Sequence, residues 1–255
     1  MIAITRLPSP RMNDCELSFA ERTPIDYERA LGQHAAYRDM LAECGADVVV
    51  LSTRADLPDC VFVEDTAVVL EEVAIIASPG AFSRRGEVDD VEEALRPYRP
   101  IEWIRLPATL DGGDVLLVGR TLLVGVSSRT NGAGIAAMHE IAEPRGYRVW
   151  PIEIRDCLHF KSACTVLDDR TLIVNPAWLD LEDIEELRDR YRVVPIPAAE
   201  PFAADVLRIG SRICLPSAHP RTAELISGLG YEVRTIDLSE FAKAEGGVTC
   251  LSIVF

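Results

Sequence analysis

The stretch that decides the fold is GDVLLVGRTLLVGVSSRTNGAGIAAMHEIAEPRGYRVWPIEI, residues 113–154. Two apolar runs meet at Gly119-Arg120, which predicts a β-hairpin. Asn131 follows as a candidate N-cap for a helix that carries Ile135 and Met138 on one face. A third apolar run, YRVWPIEI, ends the stretch as another strand. These residues therefore predict a module of hairpin, helix and strand.

The same order of elements recurs along the chain, with further hairpin turns at Glu71-Glu72, Asp168-Asp169-Arg170 and Gly210-Ser211. The N-terminal strand MIAITRLP leads to a helix from Tyr27 to about Cys44, whereas the C-terminal strand VTCLSIVF has no hairpin partner. Joined in space, the two ends complete a fifth module. Hairpins in every module count against a doubly wound parallel sheet. We therefore predict one α/β domain, residues 1–255, with five modules in a closed ring.

Composition limits the classes of function. The chain has 255 residues, 48% of them hydrophobic, and a formal net charge of −15, which argues against binding to nucleic acid or to an anionic membrane. The charge fits a cationic small substrate, and it fits an ordinary soluble protein equally well. The seven cysteines form no CxxC pair, and the N-terminus has no export signal. We expect free thiols in the cytoplasm.

Polar residues gather where the modules begin, near the centre of the predicted ring. The stretch LPDCVFVED carries Asp59, Glu64 and Asp65, and LDGGDVL carries Asp111 and Asp114 around two glycines. Taken singly, these are ordinary solvated acids and an ordinary turn. Taken together they place several carboxylates around one centre, where a planar guanidinium would be a suitable partner.

Cys250 lies in EGGVTCLSIVF, at the start of the last predicted strand. A buried strand cysteine is the alternative there. A bound cation would favour the thiolate of a nearby cysteine. The arginines of FSRRGE and SSRTN are placed to hold a carboxylate at the other end of such a substrate. Module starts fall at comparable points: Asp65, Asp114, Cys164, Asp205 and Cys250.

His159, in LHFKSACT, has three possible roles: a metal ligand, the partner of a cysteine nucleophile, or a core residue. Cys157 and Cys164 are near in sequence, but no second ligand pair has the spacing of a metal site. We therefore expect no metal.

Six motifs in order, LPDCVFVED, SRRGE, LDGGDVL, SSRTN, LHFKSA and GGVTCLS, resemble those of the dimethylarginine dimethylaminohydrolase family. The resemblance covers nearly the whole chain. It implies the five-bladed α/β-propeller of the guanidine-modifying superfamily, with pseudo-fivefold symmetry. It also implies hydrolysis of Nω-methylated arginines to L-citrulline and methylamine or dimethylamine, without a cofactor.

The resemblance also implies a role for each matching residue. Cys250 matches the nucleophile, His159 the general acid and base, and Asp111 the acid that supports the histidine and holds the guanidinium. Some members have Glu where this chain has Asp111, and Phe160 replaces a common Leu. The implied substrate-binding residues are Glu64 and Asp65 for the guanidinium, Asp59 for the α-ammonium, Arg84 and Arg129 for the α-carboxylate, and Leu17 in a mobile lid.

Other functions fit the same scaffold. They are a compact arginine deiminase, a hydrolase of another substituted guanidine, an amidinotransferase, and a non-catalytic arginine-binding protein. The short chain argues against the deiminase and the amidinotransferase, and the complete set of Cys250, His159 and Asp111 argues against a mere binding protein. We expect a small-molecule guanidinium ligand and a monomer or homodimer.

Overall fold

A computed structural model describes residues 1–255, apart from the side chain of Leu181. The strands, in chain order, are β1 (Ile2–Arg6), β2 (Asp47–Leu51), β3 (Ala67–Val69), β4 (Ala74–Ile76), β5 (Ile101–Trp103), β6 (Val115–Val118), β7 (Thr121–Val126), β8 (Arg148–Glu153), β9 (Cys164–Asp168), β10 (Thr171–Val174), β11 (Arg192–Pro195), β12 (Leu207–Ile209), β13 (Arg212–Pro216), β14 (Glu232–Ile236) and β15 (Ile253–Val254). The helices are α1 (Tyr27–Glu43), α2 (Asp89–Leu95), α3 (Gly132–Ala142), α4 (Phe160–Ala163), α5 (Leu181–Arg188), α6 (Pro220–Gly228) and α7 (Ser239–Ala242). Short 3₁₀ turns occupy Met12–Asp14, Val63–Thr66, Phe82–Glu87, Gly112–Asp114 and Glu143–Arg145.

The strands described here form five three-stranded sheets, and all five have the same topology. In each sheet the middle strand pairs antiparallel with one neighbour and parallel with the other. The antiparallel pair is the predicted hairpin in four sheets, and the helical connection leads to the parallel strand. The predicted five-bladed α/β-propeller is confirmed.

The chain ends close the fifth sheet. β15 runs antiparallel to β1, and β1 pairs in parallel with β2. The Ile2 N–H donates to the Phe255 carbonyl at 2.7 Å, and the Phe255 N–H donates back at 3.0 Å. The fifth module predicted from the two termini is therefore present, and the first and last residues share one blade.

Local sequence explains the boundaries of several elements. Asn131 caps α3, since its side-chain oxygen accepts the Gly134 N–H at 2.8 Å. Gly119 and Gly210 adopt left-handed φ values of 59° and 60° in their hairpin turns, where a side chain would be strained. Asp180 stands at the start of α5 as predicted, but its carboxylate pairs with Arg155 instead of capping the helix.

The buried apolar side chains gather between neighbouring sheets. One cluster joins Ile4 and Ile253 of the fifth sheet to Ala74 and Ile76 of the first. Another packs Tyr37 of α1 against residues of adjoining modules. Among the helices described, none is both long enough and apolar enough to cross a bilayer.

The module starts differ in detail from the predicted strands. Asp65 and Asp114 lie in 3₁₀ turns that precede β3 and β6, and Cys250 lies in a turn three residues before β15. The Thr66 hydroxyl donates to the Val63 carbonyl at 2.6 Å, and the Gly113 N–H donates to Asp65 Oδ1 at 3.1 Å. The first bond is local and the second joins the two turns to each other, so the strand ladders begin only after both turns.

Candidate active site

A small cavity brings together most of the residues predicted to form the site. Six of the nine predicted site residues line it: Asp59, Asp65, Arg84, Arg129, His159 and Cys250. Its other lining residues are Glu16, Phe62, Leu158, Ala244, Glu245 and Gly246. The predicted convergence of acids, arginines, histidine and cysteine at one centre is therefore present.

His159 lies between two carboxylates at the N-terminal boundary of α4. Its Nε2 is 3.1 Å from Asp111 Oδ2, and its Nδ1 is 3.6 Å from Asp65 Oδ1. Burial lowers the pKa of His159, but Asp65, Asp111 and Asp114 outweigh that effect and raise it to about 9. His159 is therefore an imidazolium at neutral pH and can donate a proton into the cavity.

Asp111 is fully buried behind the imidazole. Its Oδ1 accepts the Gly80 N–H at 2.8 Å, and its Oδ2 faces His159. With both oxygens engaged and the side chain outside the cavity lining, Asp111 has the geometry to support His159. The second role expected for it, holding a guanidinium, stays a prediction, and Asp111 is not among the residues that line the cavity.

The glycine pair of LDGGDVL allows this close packing. A Cβ on Gly113 would lie 2.6 Å from Asp65 Oδ1 and 2.8 Å from His159 Nδ1. A Cβ on Gly112 would lie 2.1 Å from the Glu64 carbonyl oxygen. Close approach is therefore the reason for both glycines.

Cys250 lies in the turn before β15, with its side chain at the cavity. The Gly247 N–H donates toward Cys250 Sγ at 3.4 Å. Burial raises the pKa of the thiol well above its ordinary value, and the carboxylates of Asp205, Glu64 and Asp65 raise it further. Without a bound cation the sulfur is therefore a thiol.

Glu64 has partners other than those predicted. Its Oε1 accepts from Lys161 Nζ at 2.7 Å, and its Oε2 accepts from the Thr249 hydroxyl at 2.7 Å. The side chain is buried and does not line the cavity. Lys161 compensates the charge of Glu64, whereas Asp65 lines the cavity.

The two arginines differ sharply. Arg84 pairs with Asp65 at 2.6 Å and with Glu87 at 2.8 Å, and it donates to the Phe62 carbonyl at 3.0 Å. Within the described residues, Arg129 Nη1 is buried without a hydrogen-bond partner, and Nη2 reaches the Ser18 hydroxyl at 3.4 Å. Arg129 therefore has free donors for a carboxylate, whereas Arg84 is already shared between two acids.

The segment 15–22, which we call the lid segment, covers the cavity. Asp59 accepts the Glu16 N–H with both oxygens, at 3.2 and 3.1 Å. Glu245 accepts the backbone N–H groups of Ser18, Phe19 and Ala20, at 3.0, 2.6 and 2.5 Å. The partly buried Leu17, predicted for this lid, packs on the core beneath it and not on the cavity wall.

Three residues of the site, Asp114, Lys161 and Asp205, had no individual role predicted from the sequence. Asp114 accepts from the Ser127 and Thr130 hydroxyls, both at 2.6 Å, and from the Phe160 N–H at 3.0 Å. It thereby ties three segments of the site together. Lys161 lies inside the LHFKSA motif. Asp205 lies at a module start, and that position in the repeat could have indicated that it belongs to the site.

The ligand atoms of Asp65, Asp111 and His159 lie within 4.8 Å of one another, a spacing that suits a metal ion. A metal would need neutral imidazole, whereas the neighbouring acids favour the protonated ring. Cys157 and Cys164, the other candidate ligands, are buried thiols. Burial raises the pKa of Cys157 to about 12.

Comparison with known proteins gives the family. Residues 9–194 match the family described as N,N dimethylarginine dimethylhydrolase, eukaryotic. The N(G),N(G)-dimethylarginine dimethylaminohydrolase of Streptomyces coelicolor is 42% identical over 252 residues, which cover 98% of this chain and 95% of that protein. The chain belongs to the dimethylarginine dimethylaminohydrolase family.

Solved structures of dimethylarginine dimethylaminohydrolases have the same fold. The Pseudomonas aeruginosa enzyme, a cysteine-to-serine variant in complex with citrulline, superposes with a TM-score of 0.94 at 34% identity. The match covers 99% of this chain and 98% of that one. A histidine-to-glycine variant in an adduct with S-methyl-L-thiocitrulline gives the same score and the same coverage.

Proposed function

We propose that this protein is a cysteine-dependent hydrolase of Nω-methylated arginines, with Cys250, His159 and Asp111 as its catalytic residues. The main support for this proposal is that His159 lies between Asp65 and Asp111 and lines the same cavity as Cys250. The products are L-citrulline and methylamine or dimethylamine. Citrulline bound in the Pseudomonas relative and the S-methyl-L-thiocitrulline adduct of a dimethylarginine dimethylaminohydrolase variant support this assignment.

The charges of the cavity orient an amino acid that carries a guanidinium. Asp65 offers a carboxylate to the guanidinium beside Cys250 and His159. Arg129 offers unpaired donors to the α-carboxylate, and a guanidinium fork suits that group. Asp59, a buried acid at the lid segment, attracts the α-ammonium. Arg84 acts mainly by fixing Asp65, and Glu64 by holding the turn before Cys250.

The first half of the reaction forms a covalent intermediate. The substrate cation offsets the carboxylates around Cys250, so the thiol loses its proton to solvent and the thiolate forms. Sulfur attacks the guanidinium carbon, and His159 protonates the departing nitrogen, since a neutral amine leaves far more readily than an amide anion. The carbon–nitrogen bond breaks, and a thiouronium remains on Cys250.

The second half returns the enzyme to its starting state. His159, now neutral, takes a proton from water, and the resulting hydroxide attacks the thiouronium carbon. The carbon–sulfur bond breaks, and the proton of the added hydroxyl passes to the departing sulfur, so Cys250 returns as a thiol and a neutral ureido group remains on the product. Asp111 holds the imidazole in both halves, because its Oδ2 stays within 3.1 Å of Nε2.

A citrulline assay tests the proposal. Asymmetric dimethylarginine, monomethylarginine and arginine are each given to the wild type, to Cys250→Ser and to Cys44→Ser. Cys44 is the matched control, since it is a buried cysteine at the end of α1, outside the cavity lining. We expect citrulline from the methylated substrates, and loss only in Cys250→Ser.

Two other results would contradict the proposal. Citrulline mainly from arginine would identify a compact deiminase. Retention of most activity in Cys250→Ser would exclude the covalent mechanism.

We also propose that residues 1–255 act as one catalytic domain, in the cytoplasm, as a monomer or homodimer. Apolar clusters that join neighbouring sheets support a single domain. The seven cysteines are free thiols, in keeping with a reducing compartment. Sedimentation velocity distinguishes the two oligomeric states.

A further inference from the structure

Asp205 is a buried carboxylate directly beneath the nucleophile's turn. Its Oδ1 accepts the Thr249 N–H at 3.1 Å. A Cβ on Gly247 would lie 1.7 Å from its Oδ2, so the Gly247 backbone rests against this carboxylate. The Gly247 N–H in turn donates toward Cys250 Sγ. Asp205 thus contacts Gly247, which bonds to the sulfur, and Thr249, which precedes Cys250 in the chain.

The surroundings of Asp205 contain more negative than positive charge. Its titratable and charged neighbours are Glu64 from the Val63–Thr66 turn, Lys161 from α4, Tyr37 from α1 and Cys250 from its own turn. Lys161 is paired with Glu64, and within the described residues no ion pair includes Asp205. The carboxylate therefore acts on Cys250 without a counter-ion of its own.

We propose that Asp205 is a positioning residue that also controls the ionisation of Cys250. Its carboxylate fixes Gly247 and Thr249 on either side of the sulfur's turn, and its charge, when present, opposes the thiolate. This inference rests on the proposed role of Cys250 as nucleophile, but it does not depend on which guanidine is hydrolysed.

The charge of Asp205 changes close to neutral pH. Burial raises the pKa of this carboxyl to about 7, and Glu64 adds to the effect. Below that pH the neutral acid leaves Cys250 with only Glu64 and Asp65 against it. Above that pH the charge on Asp205 raises the pKa of the Cys250 thiol. The thiolate fraction of Cys250 therefore increases less with rising pH than it would if Asp205 stayed neutral.

Alkylation by iodoacetamide measures this directly, without substrate. The rate is followed between pH 6 and 9 by mass spectrometry of the tryptic peptide 244–255, which contains Cys250. In the wild type we expect the logarithm of the rate to rise with unit slope below pH 7, to level off over about one pH unit, and then to rise again along a line about tenfold lower. In Asp205→Asn the slope should stay constant, and labelling at pH 8 should be about tenfold faster, which corresponds to one pKa unit.

Glu200→Gln is the matched control. Glu200 is another buried acid, but it accepts from Arg221 and Thr222 at the start of α6 and is not a neighbour of Cys250. Its profile should overlay that of the wild type. An Asp205→Asn profile that also overlays the wild type would overturn the proposal.

If Asp205→Asn does not fold, the wild-type profile decides alone, and a single straight line from pH 6 to 9 overturns the proposal. A broken profile in a protein that hydrolyses no methylarginine would refute the substrate assignment and leave this inference standing.

Discussion

His159 depends on its buried neighbours for the charge that its role requires. Without them, burial would keep the imidazole neutral, as it does for His34, whose pKa burial lowers to about 3. The charge of Asp65 is the largest single contribution that raises the pKa of His159, and Asp111 raises it both through its hydrogen bond and through its charge. Three carboxylates, those of Asp65, Asp111 and Asp114, thus keep a buried histidine protonated, as the proposed general acid requires.

Asp65→Asn should lower the pKa of His159 from about 9 by at least about one unit, because it removes the strongest of the raising contributions. The titration of the His159 Cε1–H by NMR measures this, with His159→Ala to assign the resonance. Asp183→Asn is the control, since Asp183 lies on α5 and is bonded to the Glu153 N–H. An unchanged titration in Asp65→Asn would show that Asp111 and Asp114 alone sustain the imidazolium.

Gly113→Ala should reduce kcat/KM by about 100-fold or more, since displacements of about 1 Å at a reacting centre have effects of this size. The new methyl group would overlap Asp65 Oδ1 and His159 Nδ1. Gly132→Ala is the matched control, because no atom lies within 4 Å of a Cβ built there. Near-normal activity in Gly113→Ala would mean that the two side chains move apart without consequence.

The types of residue at the site were predictable from the sequence, but their pairings were not. Motif order placed Asp65, Arg84 and Arg129 near Cys250, since repetition brings module starts together. Arg84 pairs with Glu87 and Asp65, and Lys161 pairs with Glu64. These pairings depend on distances of a few ångströms between side chains. The spacing of apolar residues along the sequence does not determine which charged side chains pair.

At the scale of elements, hairpins and helices were predictable, and the segments that shape the cavity were not. Turn residues such as Gly119 and Gly210 have strong local signals. The 3₁₀ turns Val63–Thr66 and Gly112–Asp114 are held by side-chain bonds to buried groups, which a pattern of apolar residues does not record. The lid segment is likewise positioned by Glu245, which is more than 200 residues away in sequence.

The lid segment should be released by Glu245→Ala. The change removes one carboxylate that accepts from Ser18, Phe19 and Ala20. Alanine keeps the left-handed backbone, φ 59°, as strained as it is with glutamate, so the bonds alone are tested. We expect KM for the methylated substrate to rise about tenfold, as expected if roughly one hydrogen bond's free energy is lost from the closed state.

Trypsin cleavage after Arg22, an exposed residue of the lid segment, should be faster in Glu245→Ala than in the wild type. Glu43→Ala, at the exposed end of α1, is the control for loss of a carboxylate. Equal cleavage rates together with an unchanged KM would show that the contact of Glu16 with Asp59 is enough to hold the segment.

The whole molecule combines a ring closed by its own termini with a large excess of acid. The net charge of −15 includes several carboxylates buried around one cavity. Such a centre attracts a cation, and it is also costly to maintain in the absence of one. The same buried carboxylates therefore favour a cationic substrate and make the stability of the fold depend on pH.

The free energy of unfolding should fall as the pH rises from 5.5 to 8.5. Burial raises the pKa of Asp114 to about 6 and that of Asp205 to about 7, so both disfavour the folded state increasingly as the pH rises from the ordinary carboxyl range through those values. His159, with its raised pKa of about 9, stabilises the fold fully below about 6.5 and loses that contribution as the pH rises through 9.

All three groups act in the same direction, and together they should contribute a few kcal/mol. Urea unfolding at pH 5.5, 7.0 and 8.5 measures the change, and repetition at 0.5 M NaCl screens surface repulsion while leaving buried groups largely unaffected. Asp205→Asn should reduce the decline mainly between pH 5.5 and 7.0, since that is where Asp205 titrates. Stability that rises with pH at high salt would contradict the raised pKa values of Asp114, Asp205 and His159 together.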